Sequence, residues 1–103
     1  MNILVTFIPA SHKEAVKSAL FAAGAGQFEQ YTHCAYEQLG TGQFRPTESA
    51  TPFIGEKGRD EHVEEYRIEF FCEEDSIPDI VAALLKTHPY EQPAFYVIDP
   101  IHC

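Results

Sequence analysis

The chain has 103 residues, enough for one compact domain with one hydrophobic core and too few for two. Its 16 acidic residues outnumber the 7 basic ones, and the net charge of -9 excludes the nucleic acid backbone as an expected partner. No apolar run reaches the roughly 20 residues that span a bilayer, and the N-terminus lacks the charged region and cleavage site of a signal peptide. We therefore expect a single domain over residues 1–103, a cytoplasmic location and no membrane partner.

The first quarter of the chain predicts a strand followed by a helix. Residues 2–8 form a β-branched, apolar run that Pro9 ends, which indicates a strand buried on both faces. Ser11-His12-Lys13-Glu14 has the spacing of a capping box, in which serine and glutamate bond each other's free backbone N–H groups. A helix is expected to begin there. Gly24 and Gly26 favour the left-handed positions that end a helix.

The middle of the chain predicts a second strand and then a long loop. From Gln30 to Leu39 the residues alternate with a period of two, and Gly40 is expected to close the strand. The stretch from Gly40 to Glu61 is rich in Gly, Pro, Ser, Thr and charge. A connection of this length in a small domain is usually functional or mobile.

The last part of the chain predicts a strand, a helix and a strand. Residues 61–72 alternate, with Tyr66, Ile68, Phe70 and Cys72 on one face and Glu65, Arg67 and Glu69 on the other. An apolar helical stripe follows, made of Ile77, Ile80, Val81, Leu84 and Leu85. Pro78 suits the first turn of this helix and Pro89 ends it. A final strand is expected over residues 93–98.

This order of elements predicts an α+β fold, the ferredoxin-like βαββαβ sandwich. Four antiparallel strands form one sheet, two helices cover one of its faces, and the long loop joins the second and third strands. The polar face of the third strand is compatible with exposure to solvent. The first and last strands, however, carry apolar residues on both faces. Because two helices cover only one face, we expect the other to be covered by further copies of the chain.

The cysteines and histidines do not form a recognised metal motif. Cys34, Cys72 and Cys103 are odd in number and lack C-x-x-C spacing, so reduced thiols are expected. The histidines are His12, His33, His62, His88 and His102. None is paired with another such ligand at i, i+3 or i, i+4. We expect no cofactor, with a divalent metal ion as the alternative. A metal site would be assembled between subunits, with His33 and His88 as candidate ligands.

Gly40 and Gly42 open the first of three turn-rich segments that stand out as a candidate site. Glycines let backbone N–H groups point at an anion, and the guanidinium of Arg45 can hold one in a bidentate manner. The alternative is that the glycines only allow the chain to turn, and that Arg45 is a structural residue paired with an acidic neighbour such as Glu48 or Glu91. The other two segments span residues 51–55 and 88–93.

The imidazole of His88 and the carboxylate of Glu91 lie beside a predicted rigid turn. Groups of these two kinds serve in acid-base catalysis and in metal ligation. The alternative is that they organise the loop, with His88 capping the helix or lining the core edge. No catalytic set of nucleophile, base and orienting group is found. The acidic residues Asp60, Glu61, Glu64 and Glu65 are interpreted as a solvated face. The candidate ligand-binding residues are Gly40, Thr41, Gly42, Phe44, Arg45, His88, Tyr90 and Glu91.

Three strings, GTGQFRP at 40–46, PFIG at 52–55 and HPYEQPA at 88–94, resemble the middle, inserted domain of the YqfO/Nif-three-like family, the GTP cyclohydrolase type-two homologs. In full-length members this insert interrupts a larger, toroid-forming protein whose outer segments bind a pair of divalent metals. The resemblance spans nearly the whole chain and implies that the chain is the insert alone. Neither the dinuclear metal site nor hydrolase activity carries over, because the metal motifs have no matching positions here.

The insert is similar in fold to the PII signalling proteins and the CutA proteins, both trimers of ferredoxin-like subunits. The resemblance implies a homotrimer that holds a small molecule at the subunit interface, with residues 40–61 in the place of the PII regulatory loop. The expected function is a non-catalytic regulatory or small-ligand-binding module. The alternatives are a divalent-metal-binding protein using His and Cys ligands, and a hydrolase of the GTP cyclohydrolase type.

Overall fold

The computed structural model describes residues 1–51 and 53–99. Its strands are β1 (Asn2–Pro9), β2 (Ala35–Phe44), β3 (Glu61–Cys72) and β4 (Phe95–Ile98). Its helices are α1 (Lys13–Ala22) and α2 (Ile77–Thr87), each preceded by a short 3-10 turn. The strands form one antiparallel sheet in the order β2-β3-β1-β4. The predicted ferredoxin-like fold class is therefore confirmed.

The hydrophobic core lies between one face of the sheet and both helices. Its fully buried side chains come from β1 (Leu4, Ile8), β3 (Ile68, Phe70, Cys72), α1 (Val16, Leu20) and α2 (Ile80, Leu84). The alternation predicted for β3 is confirmed, since Ile68, Phe70 and Cys72 all point into this core. The α2 stripe is narrower than predicted, because the Leu85 side chain is 55% exposed.

The second strand differs from its prediction at both ends. β2 runs from Ala35 to Phe44 instead of from Gln30 to Leu39, so the long connection covers only residues 45–60. Left-handed backbone at Glu29 and His33, with φ of 54° and 59°, keeps the preceding segment out of the sheet. Gly40 does not close the strand, because the ladder with β3 continues past it as far as Phe44.

The start of α1 also differs from its prediction. Ser11 lies inside the 3-10 turn Ala10–His12, so it is not the residue that precedes the helix. His12 occupies that position and makes no side-chain capping bond, and the Ser11 hydroxyl contacts His12 Nδ1 at 2.8 Å instead. The capping box therefore does not form. Gly24 and Gly26 do adopt the left-handed backbone expected after the helix, with φ of 112° and 87°.

The sheet face away from the helices combines apolar and charged side chains. Ile3, Val5 and Phe7 of β1 point to this open face, and the β-ladder places Tyr96 beside Val5 and Arg67 beside Phe7. Tyr36, Tyr96 and Ile98 are 60%, 44% and 41% exposed there. Neither helix of the described part of the chain is long and apolar enough to cross a membrane.

Candidate functional site

A cleft of about 510 Å³ opens at one end of the open face. The sheet contributes Phe7 and Glu65, and Phe44 stands where β2 ends. The remaining walls come from β2, the long loop and the segment before β4: Gln43, Pro46, Thr47, Ser49, Ala50, Ile54, Tyr90, Glu91, Gln92 and Ala94. The cleft therefore gathers side chains that lie far apart in the sequence.

Tyr90 occupies the centre of the cleft wall. Its hydroxyl donates to Glu65 Oε2 at 3.0 Å, and its ring lies 6.2 Å from that of Phe44 and 6.5 Å from that of Phe53. Burial, with the nearby Glu65 carboxylate, raises the pKa of Tyr90 far above its ordinary value. Tyr90 is thus a hydrogen-bond donor at physiological pH and holds the Glu65 carboxylate in one orientation.

His88 supports Tyr90 from the core side. The Tyr90 backbone N–H donates to His88 Nδ1 at 3.1 Å, so Nε2 carries the ring proton and donates to the Phe7 carbonyl at 2.6 Å. Burial lowers the pKa of His88. Both ring nitrogens are therefore used by the fold. His88 is buried at the edge of the core, which agrees with the alternative that it lines that edge, and its role as a metal ligand stays a prediction.

Glu91 joins two of the turn-rich segments. Its Oε1 accepts the Thr51 backbone N–H at 2.9 Å, which ties the long loop to the segment after α2. Phe44, Tyr90 and Glu91 all line the cleft. The segments singled out in the sequence do meet in space, although Pro52 of the second one lies outside the described residues.

The glycines and Arg45 are not arranged as an anion cradle. Gly40, Thr41 and Gly42 lie in the extended strand β2, where successive N–H groups point in opposite directions and do not converge. Arg45 Nε donates to Asp60 Oδ1 at 2.7 Å, which raises the pKa of Arg45 and lowers that of Asp60. Arg45 thus pairs with an acidic residue, as the structural alternative expected, although the partner is Asp60 instead of Glu48 or Glu91.

Gly42 has a different role from the one predicted. A β-carbon at this position would overlap the carboxylate of Glu65 on the neighbouring strand. Glycine therefore permits the close approach of the Glu65 carboxylate to β2, and a larger residue would make that carboxylate move. Gly40 and Thr41 border a second, shallower depression that also contains Arg67, and they do not line the cleft.

The other candidate metal ligands do not converge. His33 stacks on Phe21 with ring centroids 4.4 Å apart, and among the cysteines Cys34 is partly exposed while Cys72 is buried, both as free thiols. Residues 1–51 and 53–99 contain no group of three or more His, Cys, Asp or Glu side chains placed to hold a metal ion. His102 and Cys103 lie outside the described residues.

Phe7 and Glu65 line the cleft from the sheet but are not among the predicted site residues. The sequence pattern predicts a buried strand for Phe7 and a solvated face for Glu65. That interpretation is wrong for Glu65, because its side chain is half-buried and bonded to Tyr90. The register of β2 on β3, which sets Gly40 opposite Glu65, is the signal that identifies this residue, and it is visible only in the sheet.

Sequence comparison relates the chain to one segment of larger proteins. No family model matches it. A GTP cyclohydrolase 1 type 2 homolog of Halalkalibacterium halodurans is 46% identical over 92 residues, which are 89% of this chain and 25% of the relative. Homologs of the same name from Mycobacterium tuberculosis and Bacillus subtilis are 42% and 40% identical over 88% and 89% of the chain. The chain spans about a quarter of the length of these relatives.

Structure comparison gives the same picture. A Bacillus cereus protein related to NIF3 is 37% identical, with a TM-score of 0.80 over 94% of this chain and 24% of that one. CutA1 from Pyrococcus horikoshii has a TM-score of 0.70 at 21% identity, covering all of this chain and 86% of CutA1. The PII-like protein CutA from Nostoc has a TM-score of 0.69 at 18% identity. The chain is therefore related in sequence to a quarter-length segment of the GTP cyclohydrolase 1 type 2 homologs, and it shares its fold with the CutA proteins.

Proposed function

We propose that the chain is a non-catalytic regulatory module of the PII/CutA kind, which assembles through its open sheet face and binds a small molecule in the cleft beside that face. A homotrimer is the proposed assembly and the cytoplasm the proposed location. The proposal rests on the shared CutA fold and on one feature of the surface, described next.

The observation that carries the proposal is the apolar character of the open face. Ile3 and Phe7 of β1 are half-buried on this face, and Tyr36, Tyr96 and Ile98 from β2 and β4 are exposed on it beside the charged Arg67 and Glu69. Exposed apolar side chains grouped on one face favour an interaction site there. Around the three-fold axis of a homotrimer, the open face of each copy would pack against its neighbours in a heterologous contact.

Phe7 links assembly to ligand binding. It points to the open face, and it also lines the cleft. A copy packed on the open face therefore lies next to whatever the cleft holds. Binding in the cleft and assembly are then coupled, which is the physical requirement for a regulatory module.

The two alternative functions have less support. A metal-binding site needs ligands from more than one copy or from residues outside the described part, because residues 1–51 and 53–99 hold no ligand cluster. GTP is an anion, and no basic side chain is among the described residues that line the cleft. A stoichiometric metal titration or GTP turnover in a metal-replete assay would favour the corresponding alternative instead.

Sedimentation equilibrium of the 103-residue chain tests the proposed assembly. At micromolar concentration we expect a mass three times the 11.6 kDa of one chain. A stable monomer under these conditions would overturn both the assembly and the proposed coupling to the cleft.

A pair of variants locates the interface. Tyr36→Glu places a charge on the open face of β2 and should shift the equilibrium toward the monomer. Leu39→Glu is the matched control, because Leu39 lies on the opposite face of β2 and is 55% exposed, against 60% for Tyr36. Equal loss of assembly in the two variants would place the interface elsewhere.

A further inference from the structure

The lining of the cleft discriminates between ligands of opposite charge. Phe7, Phe44 and Tyr90 contribute aromatic rings, and Glu65 and Glu91 contribute carboxylates. Lysine, arginine and histidine are absent from the described residues that line it. An anionic ligand would therefore meet two carboxylates without a compensating positive charge.

A neutral donor of the protein bonds one oxygen of each carboxylate. Glu65 Oε2 accepts the Tyr90 hydroxyl and Glu91 Oε1 accepts the Thr51 N–H. Within residues 1–51 and 53–99, the second oxygen of each carboxylate has no hydrogen-bond donor. Carboxylates held in place by neutral donors are strong acceptors for a charged N–H group.

The nearest guanidinium on the same face does not neutralise Glu65. Arg67 forms an ion pair with Glu69, and its second terminal nitrogen donates to the Tyr96 hydroxyl at 3.2 Å. Arg67 therefore bonds toward Glu69 and β4, and it lines the neighbouring depression, which shares Phe7 and Glu65 with the cleft. Within the described residues no ion pair neutralises Glu65 or Glu91, so their charge is available to a ligand.

From these contacts we infer that the cleft binds an organic cation, a primary amine or guanidinium carried on an aromatic or apolar body. The charged head meets Glu65 and Glu91, and the rings of Phe44 and Tyr90 attract it through their π faces. The volume of about 510 Å³ suits a small ligand, since such pockets measure about 300–1,000 Å³. The net charge of -9 adds long-range attraction. This inference rests on the proposed ligand site and adds its charge and chemical class.

Three probes that share a phenol ring test the inference by calorimetric titration. Tyramine carries an ammonium group, tyrosol a hydroxyl and 4-hydroxyphenylacetate a carboxylate. We expect tyramine to bind roughly ten-fold more tightly than tyrosol, the factor typical of one charge-assisted hydrogen bond, and the acid not to bind. Equal affinities, a preference for the acid, or no binding of any probe would overturn the inference.

Matched variants separate the cleft carboxylates from the general charge of the molecule. Glu65→Gln and Glu91→Gln should each reduce the preference for tyramine over tyrosol several-fold. Glu64→Gln removes the same charge from the neighbouring residue of β3, whose side chain points to the opposite face, and should leave the preference unchanged. An equal reduction in all three variants would contradict binding in the cleft.

Sedimentation of the same samples distinguishes this inference from the proposed function. A multimer without preference for tyramine overturns the cation inference alone. A monomer overturns the proposed assembly, whatever the probes show.

Discussion

Tyr90 connects most of the contacts that build the cleft. Its backbone N–H bonds His88, its hydroxyl bonds Glu65, and its ring packs near Phe44. The sequence indicated Phe44, Tyr90 and Glu91 because aromatic and acidic residues beside Gly and Pro stand out. It did not indicate Glu65, because the alternating charged residues of β3 cannot be told apart without knowing how the neighbouring strand is paired with them. That register depends on contacts between distant residues, which local patterns do not encode.

At the residue scale, Gly42→Ala tests the close approach of Glu65. A β-carbon at position 42 overlaps the Glu65 carboxylate, whereas one at position 40 meets no atom within 4 Å. Gly42→Ala should displace Glu65 from Tyr90 and lower the free energy of unfolding by about 0.5–1.5 kcal/mol, the value of one hydrogen bond. Gly40→Ala, the control, should not lower it in urea denaturation, because the added methyl group meets open space. Equal losses in Gly42→Ala and Gly40→Ala would show that the closeness of Glu65 to position 42 does not explain the loss.

At the scale of elements, the sequence predicted the segments that carry a long periodic pattern. It failed where contacts with distant residues decide where a strand or helix begins and ends. β3 and α2 each carry a sustained apolar pattern; the bounds of β3 match the prediction, and α2 has Pro78 in its first turn and ends before Pro89 as expected. β2 is polar and glycine-containing, so its pairing with β3 decides where it ends, and this is not visible locally. Ser11 had the right spacing for a cap, but the chain entered α1 through a 3-10 turn.

His88 joins three elements, and its protonation should weaken their packing. It follows α2, donates to β1 through the Phe7 carbonyl, and accepts from the segment that leads to β4. Burial lowers its pKa below 6.5, so below that pH the unfolded chain binds more protons than the folded chain. The free energy of unfolding should therefore fall as pH drops from about 6.5 toward the folded-state pKa of His88, and no further contribution is lost below it.

Urea denaturation at about pH 7 and about pH 5 measures this effect. The loss of stability between the two should be smaller in His88→Gln than in the wild-type chain. His62→Gln alters an exposed histidine of β3 and is the control, expected to behave as wild type. Parallel losses in the wild-type chain and in His88→Gln would assign the acid sensitivity to other groups, such as the carboxylates.

At the scale of the whole molecule, charge and apolar surface act in opposite directions. Each copy carries -9, which repels other copies, while the open face and its flanking tyrosines favour association. The sequence indicated both features, because β1 is apolar on both faces and the excess of acidic residues is plain. It did not indicate where the cleft lies relative to the open face, since that follows from the position of Phe7 in the sheet.

This opposition predicts that salt strengthens assembly. Added ions screen the repulsion between copies, with a screening length of about 10 Å at 0.1 M, and they do not weaken apolar contacts. Sedimentation equilibrium should therefore give a lower dissociation constant at about 0.3 M than at about 0.03 M sodium chloride. Tyramine binding should show the reverse dependence, because it relies on attraction to carboxylates. If salt instead dissociated the assembly, ion pairs between copies, involving residues such as Arg67, would have to hold it together, and the apolar face would not be its main contact.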